Sequence, residues 1–120
     1  MAKVLIVDDV TTIRRILTKI LTEMGHEVVA EAANGQEAYN LYCEHTPDVV
    51  TMDISMPVMD GIDSVEMIVK KDPDAKVIML TSQGMKDQVV KAIQMGAKSY
   101  LLKPIDKKNL QEAIEKLGVT

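Results

Sequence analysis

The sequence predicts a doubly wound α/β fold: a five-stranded parallel sheet with helices on both faces. Three observations carry that prediction. Five short apolar runs recur along the 120 residues. They are rich in β-branched residues and mostly unalternated, as strands buried on both faces of a parallel sheet are. Helix-period segments fill the intervals between them, which implies right-handed β-α-β crossovers.

The first run, Val4–Val7, ends in Asp8 and Asp9. After it, Ile13, Ile16, Leu17, Ile20, Leu21 and Met24 recur at helical spacing. Thr11 or Thr12 can cap this helix, and it stops near Gly25. The second run, Val28–Ala30, leads to Asn34-Gly35. Such a pair often marks a hairpin. Here a helical pattern follows, so it reads as a strand-to-helix turn. That helix covers about 35–45, with Ala38, Leu41 and Tyr42 inward. The third run, Val49–Met52, precedes Asp53. A helix then starts near Gly61 and turns Ile62, Val65, Ile68 and Val69 inward. Pro73 forbids its continuation, and Asp60-Gly61 reads as turn and helix-start chemistry. The fourth run, Val77–Leu80, ends at Thr81. Its helix spans roughly Lys86 to Met95, with Val89, Ala92 and Ile93 inward and Gly96 ending it. The last run, Tyr100–Leu102, meets Lys103-Pro104. The final helix carries Leu110, Ala113, Ile114 and Leu117 and ends at Gly118.

Composition narrows the function classes. The chain has the usual size of one domain, and 47% hydrophobic residues suffice for one core. Net charge is −4, which argues against the basic face of a nucleic-acid binder. Lys and Arg form no dense run for an anionic membrane. The lone Cys43 cannot form an internal disulfide and reads as a packing residue on its helix. The apolar run before Asp8 is too short for a signal-peptide core or a span, so a cytoplasmic protein is expected. His26 and His45, at element ends, read as ordinary surface residues.

The polar residues are placed informatively. Asp8, Asp9, Asp53, Thr81 and Lys103 all stand at carboxyl ends of predicted strands. Ligands of open parallel sheets bind outside those ends. Three acids, a hydroxyl and an ammonium therefore converge on one cleft. Two like charges at about 4 Å repel by roughly 4 kcal/mol at an effective dielectric near 20. Such a cluster needs compensation, and a hard divalent cation with oxygen ligands supplies it. Mg2+ favours few carboxylates, several waters and a phosphate oxygen. With it in place, Asp53 can act as a carboxylate nucleophile toward a phosphoryl group, and Thr81 can donate a hydrogen bond to that group.

These residues, in this order, resemble the receiver domain of two-component response regulators. The resemblance covers essentially the whole chain. It rests on Val-Asp-Asp at 7–9, Thr-Met-Asp-Ile-Ser-Met-Pro-Val-Met-Asp-Gly at 51–61, Leu-Thr-Ser at 80–82 and Leu-Leu-Lys-Pro at 101–104. It implies a (βα)5 flavodoxin-like sandwich with strand order 2-1-3-4-5. The 120 residues would form a single receiver domain without an output domain. The resemblance further implies that Asp53 accepts phosphate from a CheA-like sensor histidine kinase. Asp9, Asp53 and the carbonyl of Ser55 would hold Mg2+, with Asp8 helping through water. Lys103 would pair with the phosphoryl group. Thr81 and Tyr100 would form the switch, and Lys103-Pro104 would be cis. Ser55 and Gln83 would line the hydrolytic water's approach and tune dephosphorylation. Ile105 departs from many relatives, which have Phe there.

Thr-Thr-Ile-Arg-Arg-Ile-Leu at 11–17 and the length look most like the stand-alone chemotaxis regulators of that family. That implies a monomeric switch rather than an enzyme in the ordinary sense. It would dock a flagellar motor switch protein or another partner and be reset by itself or by a phosphatase. A phosphorelay intermediate outside chemotaxis is the alternative. A phosphatase of the haloacid-dehalogenase type fits less well. Its nucleophile lies on the first strand as Asp-x-Asp, whereas Asp8 and Asp9 are adjacent.

Overall fold

The computed structural model describes residues 1–119. In chain order the elements are β1 (Lys3–Val7), α1 (Thr11–Glu23), β2 (Glu27–Ala32), α2 (Gly35–His45) and β3 (Val49–Asp53). They continue with α3 (Gly61–Lys71), β4 (Val77–Thr81), α4 (Lys86–Gln94), β5 (Ser99–Leu102) and α5 (Lys107–Lys116). All strand pairs are parallel, in the order β2-β1-β3-β4-β5. The predicted flavodoxin-like fold and strand order are the observed ones.

The inner strands explain the two-sided apolar runs. On one face, Val50, Met52, Val77 and Met79 pack with Tyr42, Val65, Ile68 and Ala92 of α2, α3 and α4. On the other, Val4, Ile6, Ile78 and Leu80 pack with Leu17, Leu21, Leu110 and Ile114 of α1 and α5. Asn34-Gly35 is a strand-to-helix turn, as predicted. The Asn34 side chain caps α2 by accepting the Glu37 N–H, and Glu37 accepts the Ala33 N–H in return. Among the described residues no helix is long and apolar enough to cross a membrane.

Several local expectations need correction. Neither Thr11 nor Thr12 caps α1. Its N-cap is Val10, which has no capping side chain. Asp8 instead folds its carboxylate over the Val10 N–H at 2.9 Å. The edge strands are not buried on both faces: β2 is largely half-buried, and in β5 Tyr100 and Leu102 are 52% and 57% exposed. Edge strands lack a neighbour on one side, so fewer helices cover them. Ile93, expected inward, is 41% exposed, and Ile16, at helical spacing with the buried Leu17 and Leu21, is 46% exposed. Cys43 is exposed rather than packed. His26 is half-buried and structural, since its Nδ1 accepts the Ala2 N–H at 3.0 Å.

Candidate functional site

Register brings the predicted residues together. Val7 pairs with Met52, so Asp8, one residue further, reaches the level of Asp53. Asp53 pairs with Leu80, and Thr81 with Leu102. The Lys103 N–H then donates to the Thr81 carbonyl at 2.8 Å and extends the β4–β5 pairing by one residue. All five residues arrive at one sheet edge because the carboxyl end of each of these strands falls within one residue of its neighbour's.

The geometry is that of a compact charged cluster. Carboxylate oxygens of Asp8, Asp9 and Asp53 lie within 4.8 Å of one another. The Lys103 ammonium donates to Asp8 Oδ2 at 2.8 Å and to Asp53 Oδ1 at 3.2 Å. Asp8 is fully buried, Asp53 is buried and Asp9 is exposed. Burial first, then the charge of Asp8, pushes the Asp53 carboxyl up to about 6; Lys103 opposes this and Asp9 adds to it. Burial pulls Lys103 down, but its bonds and charge contacts with Asp8 and Asp53 outweigh that and hold it above its ordinary value. One ammonium thus leaves three carboxylates incompletely neutralised. Hard oxygen donors, residual negative charge and an exposed Asp9 fit a hard divalent cation that keeps some of its waters. Ser55, two residues beyond Asp53, is exposed in the β3–α3 loop.

The start of α3 seats Asp53 at the end of β3. Gly61, at the start of α3, donates its N–H to the Ile54 carbonyl at 2.8 Å. A Cβ there would overlap the Asp53 carbonyl oxygen and stand 3.0 Å from the Asp53 carbonyl carbon. Asp60 caps α3 by accepting the Asp63 N–H at 2.9 Å, which is the helix-start role expected of it. Ahead of both, in the β3–α3 loop, Val58 has φ of +67° and is exposed, and the Met59 N–H closes a three-residue turn onto the Pro57 carbonyl at 2.7 Å.

Thr81 is buried, and its hydroxyl donates to the Ser82 carbonyl at 3.1 Å. Tyr100 does not join the acids. It lines an apolar groove of about 440 Å³ with Thr81, Gln83, Met85, Ile93 and Leu102. Thr81 is therefore shared by the acid cleft and the groove. The Lys103-Pro104 peptide is cis, as the resemblance implied.

Sequence reasoning missed Arg14, whose guanidinium donates to the Asp8 carbonyl at 2.6 Å. Its place among the first helical residues after the acid pair was visible, but its reach back toward β1 was not.

A family model described as the response regulator receiver domain matches residues 4–115. The chemotaxis protein CheY of Thermotoga maritima is 46% identical over 97% of each chain. That of Bacillus subtilis is 46% identical over 95% of each. Among solved structures, a chain of the CheX-CheY-BeF3-Mg2+ complex from Borrelia burgdorferi superposes with a TM-score of 0.92. That match has 37% identity and covers 98% of this chain and 90% of the other.

Proposed function

The chain belongs to the response regulator receiver family of two-component signalling, and from that premise we propose that it is a chemotaxis switch phosphorylated on Asp53. A sensor histidine kinase donates the phosphoryl group, and the product has a changed partner affinity at the α4–β5–α5 face. The observation that carries this reading is Lys103, held between Asp8 and Asp53 inside a group of three carboxylates.

One Asp53 oxygen attacks phosphorus, and an acyl phosphate forms. The phosphorus–nitrogen bond of the donor's phosphohistidine breaks, and the imidazole leaves with the electron pair. Lys103, already 3.2 Å from Asp53, pairs with a phosphoryl oxygen. Asp9, Asp53 and the Ser55 carbonyl would hold Mg2+, with Asp8 acting through water. When bound, it supplies charge neutralisation between the carboxylates and the phosphoryl oxygens. The BeF3 and Mg2+ in the Borrelia burgdorferi complex support that assignment by analogy.

The Thr81 hydroxyl then exchanges the Ser82 carbonyl for a phosphoryl oxygen. Thr81 also lines the groove beside Tyr100, so its movement frees space into which the exposed ring turns. A complete change from 1:99 to 99:1 needs roughly 5.5 kcal/mol of differential stabilisation, so partner binding completes what phosphorylation begins. Ser55 and Gln83, both exposed on neighbouring loops, set the approach of the hydrolytic water. The partners are a flagellar motor switch protein and a phosphatase. CheX beside CheY in the Borrelia burgdorferi structure supports a second protein docking on this kind of chain. The setting is cytoplasmic and the protein acts as a monomer.

Labelling with acetyl phosphate or a histidine kinase, with and without Mg2+, tests the proposal. The parent should label in a Mg2+-dependent way and Asp53→Asn should not. Equal labelling of Asp53→Asn would overturn it.

A further inference from the structure

Arg14 stands in the first turn of α1, and the phosphoryl transfer described above makes no use of it. Its guanidinium makes three bonds. Nη1 donates to the Asp8 carbonyl at 2.6 Å, Nη2 to Thr11 Oγ1 at 3.3 Å and Nε to Glu31 Oε1 at 3.1 Å. Glu31 precedes Ala32 on β2, and the Ala32 carbonyl accepts the Asp8 N–H at 3.0 Å. Thus β2 holds Asp8 at both ends: directly at its N–H, and through Glu31 and Arg14 at its carbonyl.

That carbonyl lies in the planar peptide that also contains the Asp9 nitrogen. Arg14 therefore fixes the plane from which Asp9 departs. On the far side, Asp8 Oδ1 accepts the Val10 N–H and closes a turn around Asp9. The Asp8 side chain is buried and committed to Val10 and Lys103. Asp9 is exposed, so the direction of its carboxylate rests on this turn.

We propose that Arg14 is a positioning residue for the cation site: by tying the Asp8 carbonyl to Glu31 it aims the Asp9 carboxylate, without touching cation or phosphoryl group. The inference rests on reading the acid cluster as a cation site. Ordering a ligand before binding raises affinity, because the ordering cost is met in folding. A lysine cannot replace the planar fork that bonds in two directions at once.

The sign of the effect separates positioning from charge. A guanidinium near carboxylates repels a divalent cation, so by charge alone its removal tightens cation binding. Positioning predicts weaker binding.

The test is Mg2+ affinity of the full chain by isothermal titration calorimetry, with urea midpoints measured alongside. Arg14→Ala should weaken Mg2+ binding about tenfold, the low end for losing a residue that orients a metal ligand. Arg14→Lys, which keeps the charge, should weaken it less but in the same direction. Glu31→Ala should also weaken it, and should add nothing to Arg14→Ala. An Arg14→Ala protein that binds Mg2+ as tightly as the parent, or more tightly, overturns the proposal whatever its stability. If Arg14→Ala does not fold, parental affinity in Arg14→Lys does the same. A parent that binds no Mg2+ overturns the cation reading itself, and the positioning role with it.

Discussion

Replacing Gly61 by Ala sets two effects against each other at the end of β3. Gly61 opens α3, where Ala is intrinsically the better helix former by at most about 1 kcal/mol. The packing opposes it. The new methyl would overlap the Asp53 carbonyl oxygen and stand 3.0 Å from both the Asp53 carbonyl carbon and Met52 Cγ. Neither side yields easily, because the Gly61 N–H is bonded to the Ile54 carbonyl at 2.8 Å and Asp60 caps the helix. Overpacking of this kind costs about 1–3 kcal/mol, and a backbone contact belongs at the upper end. The net expectation is a loss of about 2 kcal/mol once the propensity gain is set against it. Relief also requires β3 and α3 to part by about 1 Å, and a displacement of that size at a reacting group lowers rates on the order of 10²-fold. Urea denaturation reads the first effect, and the rate of Mg2+-dependent acetyl-phosphate labelling reads the second. Gly61→Ala with parental stability and parental labelling would refute the argument that the start of α3 seats Asp53.

Three further substitutions probe the fold around the site. Thr51 Oγ1 is buried on β3 with no partner among the described residues. Thr51→Val should therefore raise stability by about 1–3 kcal/mol, seen as a higher urea midpoint at unchanged slope; a lower midpoint would show that the hydroxyl is satisfied. Val58 is a β-branched residue at φ +67° and is 86% exposed. Val58→Gly should stabilise by about 1 kcal/mol, the relieved strain exceeding the added chain entropy; thermal melts check this, and a lower melting temperature counts against strain. His26 is held below its ordinary value of 6.5 by burial and by the N-terminal charge. The unfolded chain thus binds more protons just below 6.5, so stability present above that pH is lost as pH falls through the folded value. His26→Gln should show a smaller drop in urea midpoint than the parent between neutral pH and about 5; equal drops would refute the assignment.

How much the sequence revealed depended on the range of the interaction. Val49–Met52 and Val77–Leu80 announced inner strands because burial on both faces removes alternation, and that survives in any window. Tyr100–Leu102 misled because three residues are too few to show the alternation of an edge strand, where Tyr100 and Leu102 in fact face out. Ile16 and Ile93 fit the helical period, but period alone does not say how wide a stripe the neighbouring elements cover. The acid cluster was legible because the end of a strand is a local fact and parallel register does the rest. Arg14 was not, because its three partners are divided among the β1–α1 turn, the start of α1 and β2.

The same distinction applies to the chemistry. Which residues meet follows from strand ends; how they share charge does not. Lys103 is bonded to both Asp8 and Asp53, yet Asp53 still lies above the carboxylate range because burial and the neighbouring acids outweigh that help. A cluster arranged for stability alone would pair every acid, since unpaired buried charge is costly. Here Asp8 is closed off by Val10 and Lys103, while Asp9 stays exposed and unburied beside an under-neutralised Asp53. That imbalance favours a divalent cation and disfavours the bare site. On the proposed function, a phosphoryl group arriving on Asp53 would then meet positive charge in place of repulsion. The mutual repulsion of these carboxylates would thus be the source of the cluster's affinity for what it is proposed to receive.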